Sequence, residues 1–199
     1  MKKVNLLKMT LVNKTKSKYS KLSQFNFNSP LVSRILIVII SLAILSIFIK
    51  IKLIILLVAA TVFNAWLANF QLRIGMPTDF ELSTFATVLV TLSFGINWGI
   101  FIAIFSKLFA TLSSGSLLVD HFFMMALYVN AAIITAILGF SNVFLLGMII
   151  VLINCVIMFF ISKNLLGLDV TSNLAYTLTN FVFNFIIFSI LGNLVYGLL

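Results

Sequence analysis

Long apolar runs separated by short polar breaks make up most of this chain, and the breaks set the element map. The runs cover residues 31–49, 53–70, 82–94, 98–112, 122–138, 143–161 and 174–199. Each is apolar at nearly every position rather than at every second one. They therefore predict helices, not the alternating strands of a membrane barrel. A hydrocarbon layer about 30 Å thick asks for about 20 apolar residues per crossing, so the third and fourth runs are short. Tilt, local thinning of the bilayer, or a broken pair whose irregular backbone lines a cavity would each accommodate them. The break at Lys50-Ile51-Lys52 contains no Gly, Pro or Asn, so the first two runs can also be read as one long bent helix.

Composition fixes the class. The chain is 62% hydrophobic and 9% charged, with a mean hydropathy of +1.24. A soluble core of 199 residues cannot absorb that much continuous apolar sequence. The fold class is an all-α integral membrane protein, a polytopic bundle of six to seven transmembrane helices. Of the 13 Lys and Arg, eight lie at or before Arg34: Lys2, Lys3, Lys8, Lys14, Lys16, Lys18, Lys21 and Arg34. A basic tail beside the first span stays inside, which predicts a multi-pass protein of the cell membrane with a cytoplasmic N-terminus. The organisation read from this is a basic tail at 1–30, an extra apolar segment at 31–52 and a membrane domain at 53–199. The tail is too long for a signal peptide and no small-residue cleavage site follows the first run. With few aromatics, Tyr19, Phe25 and Phe27, among its basic residues, it does not predict nucleic-acid binding. The single cysteine, Cys155, excludes an intrachain disulfide.

No catalytic constellation emerges. The acids are Asp79, Glu81, Asp120 and Asp169, and the only histidine is His121. A zinc site needs three protein ligands, and a nucleophilic serine needs a base and an orienting group near it. The reading is a non-enzyme with no metal and no cofactor, in which Asp120 and His121 start a helix. Two polar stripes carry more information. Asn173, Thr177, Asn180 and Asn184 share one helical face with Tyr176 beside them, and Thr84, Thr87 and Thr91 form a second face. These predict either interhelical hydrogen bonds or a neutral polar cavity for a small molecule, with Thr84, Thr87, Thr91, Tyr176, Asn180 and Asn184 as substrate-binding candidates. With no Lys or Arg expected there, an anionic ligand is disfavoured, though Arg73 in the loop could still reach one. Gly95, Gly99 and Ala103 follow a small-xxx-small spacing that predicts a tight helix contact.

The polar loop leading into LSTFATVLVTLSFG, the Gly-xxx-Gly-xxx-small helix after it, and three further spans ending in a TLTNFVFN helix together resemble the membrane-embedded substrate-binding (S) component of energy-coupling factor (ECF) vitamin transporters. The resemblance covers about 53–199. It implies a six-helix bundle that captures one small metabolite or vitamin at the extracellular side, beneath the loop 71–81 after its first helix. It further implies a coupling transmembrane subunit and ATPase subunits as partners, with Asn180 and Asn184 on the ligand-facing last helix. A different class stays open: a membrane scaffold without transport, similar to the rod-shape-determining membrane protein family. A scaffold predicts polar stripes satisfied by neighbouring helices; a binder predicts a void lined by Thr84, Thr87, Asn180 and Asn184. Orientation stays open too. If 31–49 crosses with the tail inside, the loop 71–81 lies in the cytoplasm, whereas an interfacial 31–49 leaves it outside.

Overall fold

A computed structural model describes residues 51–75, 78–115, 117–139, 141–164, 167 and 169–199, together with 34, 36–38, 40 and 41. The chain divides into two units, Met1–Phe48 and Ile49–Leu199. In the first, the described residues are helical and exposed; the basic tail and the rest of the 31–49 run lie outside the described residues. The second holds α1 (Ile51–Ile74), α2 (Ser83–Phe94), α3 (Ile96–Ser114), α4 (Val119–Leu138), α5 (Val143–Asn164) and α6 (Val170–Ile187). The last continues through a π turn, Phe188–Gly192, into α7 (Asn193–Leu198). No strand occurs among the described residues. Among the described residues five helices, counting Val170–Leu198 as one, are long and apolar enough to cross a membrane, and α2 is the shorter sixth. The protein is an all-α polytopic membrane bundle.

The fourth apolar run is not short. Its helix begins at Ile96, takes in Asn97, and ends at Ser113-Ser114, giving 19 residues. Those polar ends hid its length in the sequence. Only α2, with 12 residues, falls short of a crossing, since 12 residues rise about 18 Å. Its position explains how so short a helix is tolerated. Every residue from Ser83 to Thr91 is buried, and α2 packs against α1, α3, α4, α5 and α6. Protein rather than lipid surrounds it, so its ends need not reach the membrane surfaces. The outer helices behave in the opposite way. Phe63, Trp66 and Phe70 on α1, and Phe101, Phe105 and Phe109 on α3, stack along exposed faces as lipid-facing aromatic rows.

The three small residues of the expected contact do different jobs. Gly99 is the contact itself. A Cβ there would overlap Thr91 Oγ1, and it would lie 3.4 Å from Ala132 Cβ, so α2, α3 and α4 meet at this point. Ala103 is fully buried one turn on. Gly95, expected to pack, does not: it is exposed, and a Cβ on it would meet nothing within 4 Å. It is required instead for its backbone. With φ +95° and ψ 167° it joins α2 to α3 as a single residue, a conformation essentially restricted to glycine. A second notch at Gly147 receives the ring of Phe188, the fully buried first residue of the π turn, which also meets Phe85 edge-on at 5.1 Å.

Chain direction gives the bundle two ends. Lys52 Nζ donates to the Leu199 carbonyl at 3.2 Å, so the start of α1 and the C-terminus share one end, with the Gly95 link and the α4–α5 turn. Gly75, residues 78–82, the end of α3, the start of α4, the end of α5 and the start of α6 lie at the other. Asp169 begins α6 there by accepting the Ser172 N–H at 3.1 Å.

Gly99→Ala is expected to lower stability in detergent by about 1–3 kcal/mol through overpacking, and Thr91→Ala in the same chain should recover part of the loss. Gly95→Ala should cost about as much through strain alone and show no rescue by Thr91→Ala. Thermal or denaturant unfolding of the four proteins distinguishes the two mechanisms.

Candidate ligand-binding site

Loop residues 79–82 are fastened over the end of the bundle from three sides. From α1, Asn64 Oδ1 accepts the Leu82 N–H at 3.1 Å while its Nδ2 donates to Ser83 Oγ at 2.8 Å, and Gln71 Nε2 donates to the Phe80 carbonyl at 2.6 Å. From α3, Lys107 Nζ donates to Glu81 Oε2 at 2.9 Å, with both side chains buried; Ser106 Oγ meets Ser83 Oγ at 3.0 Å beside it. From α6, Asn180 Nδ2 donates to Asp79 Oδ2 at 2.8 Å, and the Asp79 N–H donates to Thr179 Oγ1 at 3.0 Å. Phe80 leans on Phe183 of the same helix at 5.5 Å.

Beneath and beside the loop lie two adjoining cavities that share Asp79, Glu81, Leu118, Asp120, Met124 and Tyr176. The inner, about 230 Å³, reaches between α2, α4, α5 and α6 to Thr84, Tyr128, Asn154, Met158, Asn173 and Asn180. The outer, about 520 Å³, lies between α1, α3 and the loop, reaching Asn64, Gln71, Lys107 and His121.

The expected binding residues divide. Thr84, Tyr176 and Asn180 line the inner cavity. Thr87, Thr91 and Asn184 do not, because α2 is enclosed on all sides and its threonine face turns partly toward helices. Thr91 Oγ1 donates to the Thr87 carbonyl and closes on Gly99. Asn184 is fully buried and donates to the Asn180 carbonyl at 3.0 Å. Asn173 lines the cavity but is committed to the Phe159 carbonyl at 2.8 Å, tying α6 to α5. The asparagine stripe is thus part glue and part wall.

The charged part of the site was missed by reading the sequence for neutral polar stripes. In the sequence Asp79 and Glu81 read as loop residues and Asp120 as a first-turn acid, while Lys107 sits unremarked within the run 98–112. Asp120 is indeed in the first turn of α4, where its Oδ1 accepts the His121 N–H, and His121 Nδ1 accepts the Leu118 N–H at 3.0 Å. It also lines both cavities. The available signal was Lys107: an ionisable residue inside a span marks a site and calls for a named partner. Asn154, in the middle of α5, carried the same kind of signal. It is buried, both of its amide atoms lack a hydrogen-bond partner, and it borders the inner cavity.

Burial in the loop, reinforced by the nearby Glu81 carboxylate, pushes the Asp79 carboxyl from an ordinary 3.8 up to about 7 against the opposing pull of Lys107 and Asn180. Asp120, His121, Tyr128, Cys155 and Tyr176 are the other titratable side chains bordering the cavities.

The chain matches no protein-family model, and no curated protein or solved structure is significantly similar to it.

Two outcomes are expected. Lys107→Met leaves Glu81 buried without its counter-charge and should destabilise by about 3–5 kcal/mol, most of which Glu81→Gln in the same chain should recover; denaturant unfolding measures both. For Asp79 the folded state holds its proton more tightly than the unfolded chain, so its contribution is full below pH 4 and lost as pH rises through about 7. Thermal unfolding between pH 5 and 8 should show this decline, and Asp79→Asn should flatten it.

Proposed function

We propose that the protein is a membrane substrate-binding component for the uptake of a small metabolite or vitamin, in the manner of ECF transporter S components. The single observation carrying this reading is the inner cavity beneath the fastened loop: it is walled by Thr84, Asn180 and Tyr176 and holds the unpartnered Asn154 amide. A bundle that only held partners together would gain nothing from a void bordered by an unsatisfied buried amide, which costs about 1–3 kcal/mol. The six-helix arrangement of 51–199, with the loop after the first helix over the cavity, agrees with the resemblance read from the sequence. The non-transporting scaffold draws support from Asn173, Asn184 and Thr91, each of which donates a side-chain hydrogen bond to a backbone carbonyl within the bundle. A coupling membrane subunit, ATPases and placement in the cell membrane follow from the first reading and are part of the proposal.

Capture from outside further requires the end of the bundle carrying Lys52 and Leu199 to face the cytoplasm. Cysteines at Asn164 and Ser141, exposed at opposite ends, should then be labelled by an impermeant maleimide before and only after permeabilisation, respectively. The reverse pattern would place the cavity on the inner side and remove uptake.

Binding itself is tested by thermal unfolding of the purified protein against a broad panel of vitamins and small metabolites. At least one compound should stabilise it in a concentration-dependent way, by about 2.7 kcal/mol at one hundred times its Kd. Asn154→Leu should abolish that shift without lowering the stability of the empty protein. Stabilisation by no panel member, together with an Asn154→Leu protein less stable than the parent, would favour the scaffold.

A further inference from the structure

Negative charge is scarce in this chain and it is gathered in one place. Against 13 Lys and Arg there are four Asp and Glu. Three of those four, Asp79, Glu81 and Asp120, border the inner cavity, and among the described residues no Lys or Arg does. The fourth, Asp169, caps a helix. Lys107 reaches Glu81 from the outer cavity and pairs with that residue alone. Asp79 and Asp120 have no Lys or Arg ion pair among the described residues. His121 does not fill the gap, because the Nδ1 atom nearest Asp120 is already an acceptor for the Leu118 N–H.

A second, independent observation points to an occupant. Asn154 is 7% exposed, with neither its oxygen nor its nitrogen hydrogen-bonded. It borders the same space from α5. An amide in that condition asks for a ligand that offers both a donor and an acceptor, or a donor with a water beside it. The remaining wall is soft and aromatic: Met124, Leu127, Tyr128, Met158 and Tyr176. Thioethers and aromatic faces suit a compact apolar body and favour a cation placed over a ring. A bare metal ion fits less well, since no three His, Cys, Asp or Glu side chains among the described residues come close enough to hold one.

We propose that the inner cavity selects a small organic cation, a compact body carrying a protonated amine or amidine whose charge is met by Asp79 and Asp120 and whose polar edge is met by Asn154. This rests on the binding reading above and names its substrate class. The raised proton affinity of Asp79 agrees with it: that carboxyl sits in a negative, desolvated environment which a bound cation would relieve.

Three compounds of one size and shape separate charge from fit: benzamidinium, benzamide and benzoate. The full-length protein in neutral detergent at pH 7.5 is heated with each over a range of concentrations, with unfolding followed by Trp fluorescence. Benzamidinium should raise the Tm in a saturable manner, benzamide should require at least tenfold higher concentration, and benzoate should give no shift. Asp120→Asn should weaken the benzamidinium response at least tenfold; its carboxylate is about one-third exposed, so the variant remains folded, and Asp79→Asn provides a second test. Equal or stronger stabilisation by benzamide or benzoate overturns the cation class and leaves the binding reading standing. An unchanged benzamidinium shift in both Asp variants also overturns it, because the cation would then be held elsewhere. No shift with benzamidinium overturns the class as well, and the metabolite panel on the same preparation then decides whether the binding reading falls with it.

Discussion

A buried charge needs a partner, and the Lys107–Glu81 contact is where this bundle meets that requirement. Desolvating either ion alone costs several kcal/mol, so removing one member of the pair is far more damaging than exchanging both. The consequence is geometric. Lys107 belongs to α3, which its own hydrogen bonds hold straight, whereas Glu81 belongs to a connection that could otherwise drift. The pair draws loop residues 79–82 down onto α3, and Asp79 with Asn180 draws them across to α6. Asn64 and Gln71 complete the fastening from α1. The cavity roof is therefore part of the packed structure.

Helix number, order and class were legible because lipid imposes one rule on every crossing: satisfy the backbone internally and cover it with apolar side chains. Helix ends were less legible. Asn97, Ser113 and Ser114 belong to α3 although polarity suggested they flank it, since a polar residue at a membrane surface is compatible with continuing the helix. The π turn at Phe188–Gly192 had no signal in an apolar run, because its cause is tertiary: the ring of Phe188 fits the notch at Gly147.

The site was half legible. Periodicity finds faces, and it found that Asn180 and Thr84 belong to important ones. It cannot tell which neighbour a face meets, so it grouped Thr87, Thr91 and Asn184 with them although these are absorbed by packing. It also misses residues brought together from distant segments. Asp79, Asp120 and Asn154 are far apart in sequence and come together only when the loop, α4 and α5 are folded. Glycine spacing has a similar limit. Gly95 and Gly99 look equivalent four residues apart, yet one supplies a backbone angle and the other an absent methyl group.

The central position of α2 also constrains how the protein is made. It leaves the ribosome after α1 and before the other four helices that enclose it. At 12 residues it is too short to rest across a bilayer by itself, and its Ser and Thr side chains would meet lipid until α4, α5 and α6 arrive. The one-residue link at Gly95 supplies a way through: α2 and α3 can enter as a tight hairpin, with the longer helix anchoring the shorter. The later helices then close around that hairpin, so the core of the finished bundle is sealed by its C-terminal half.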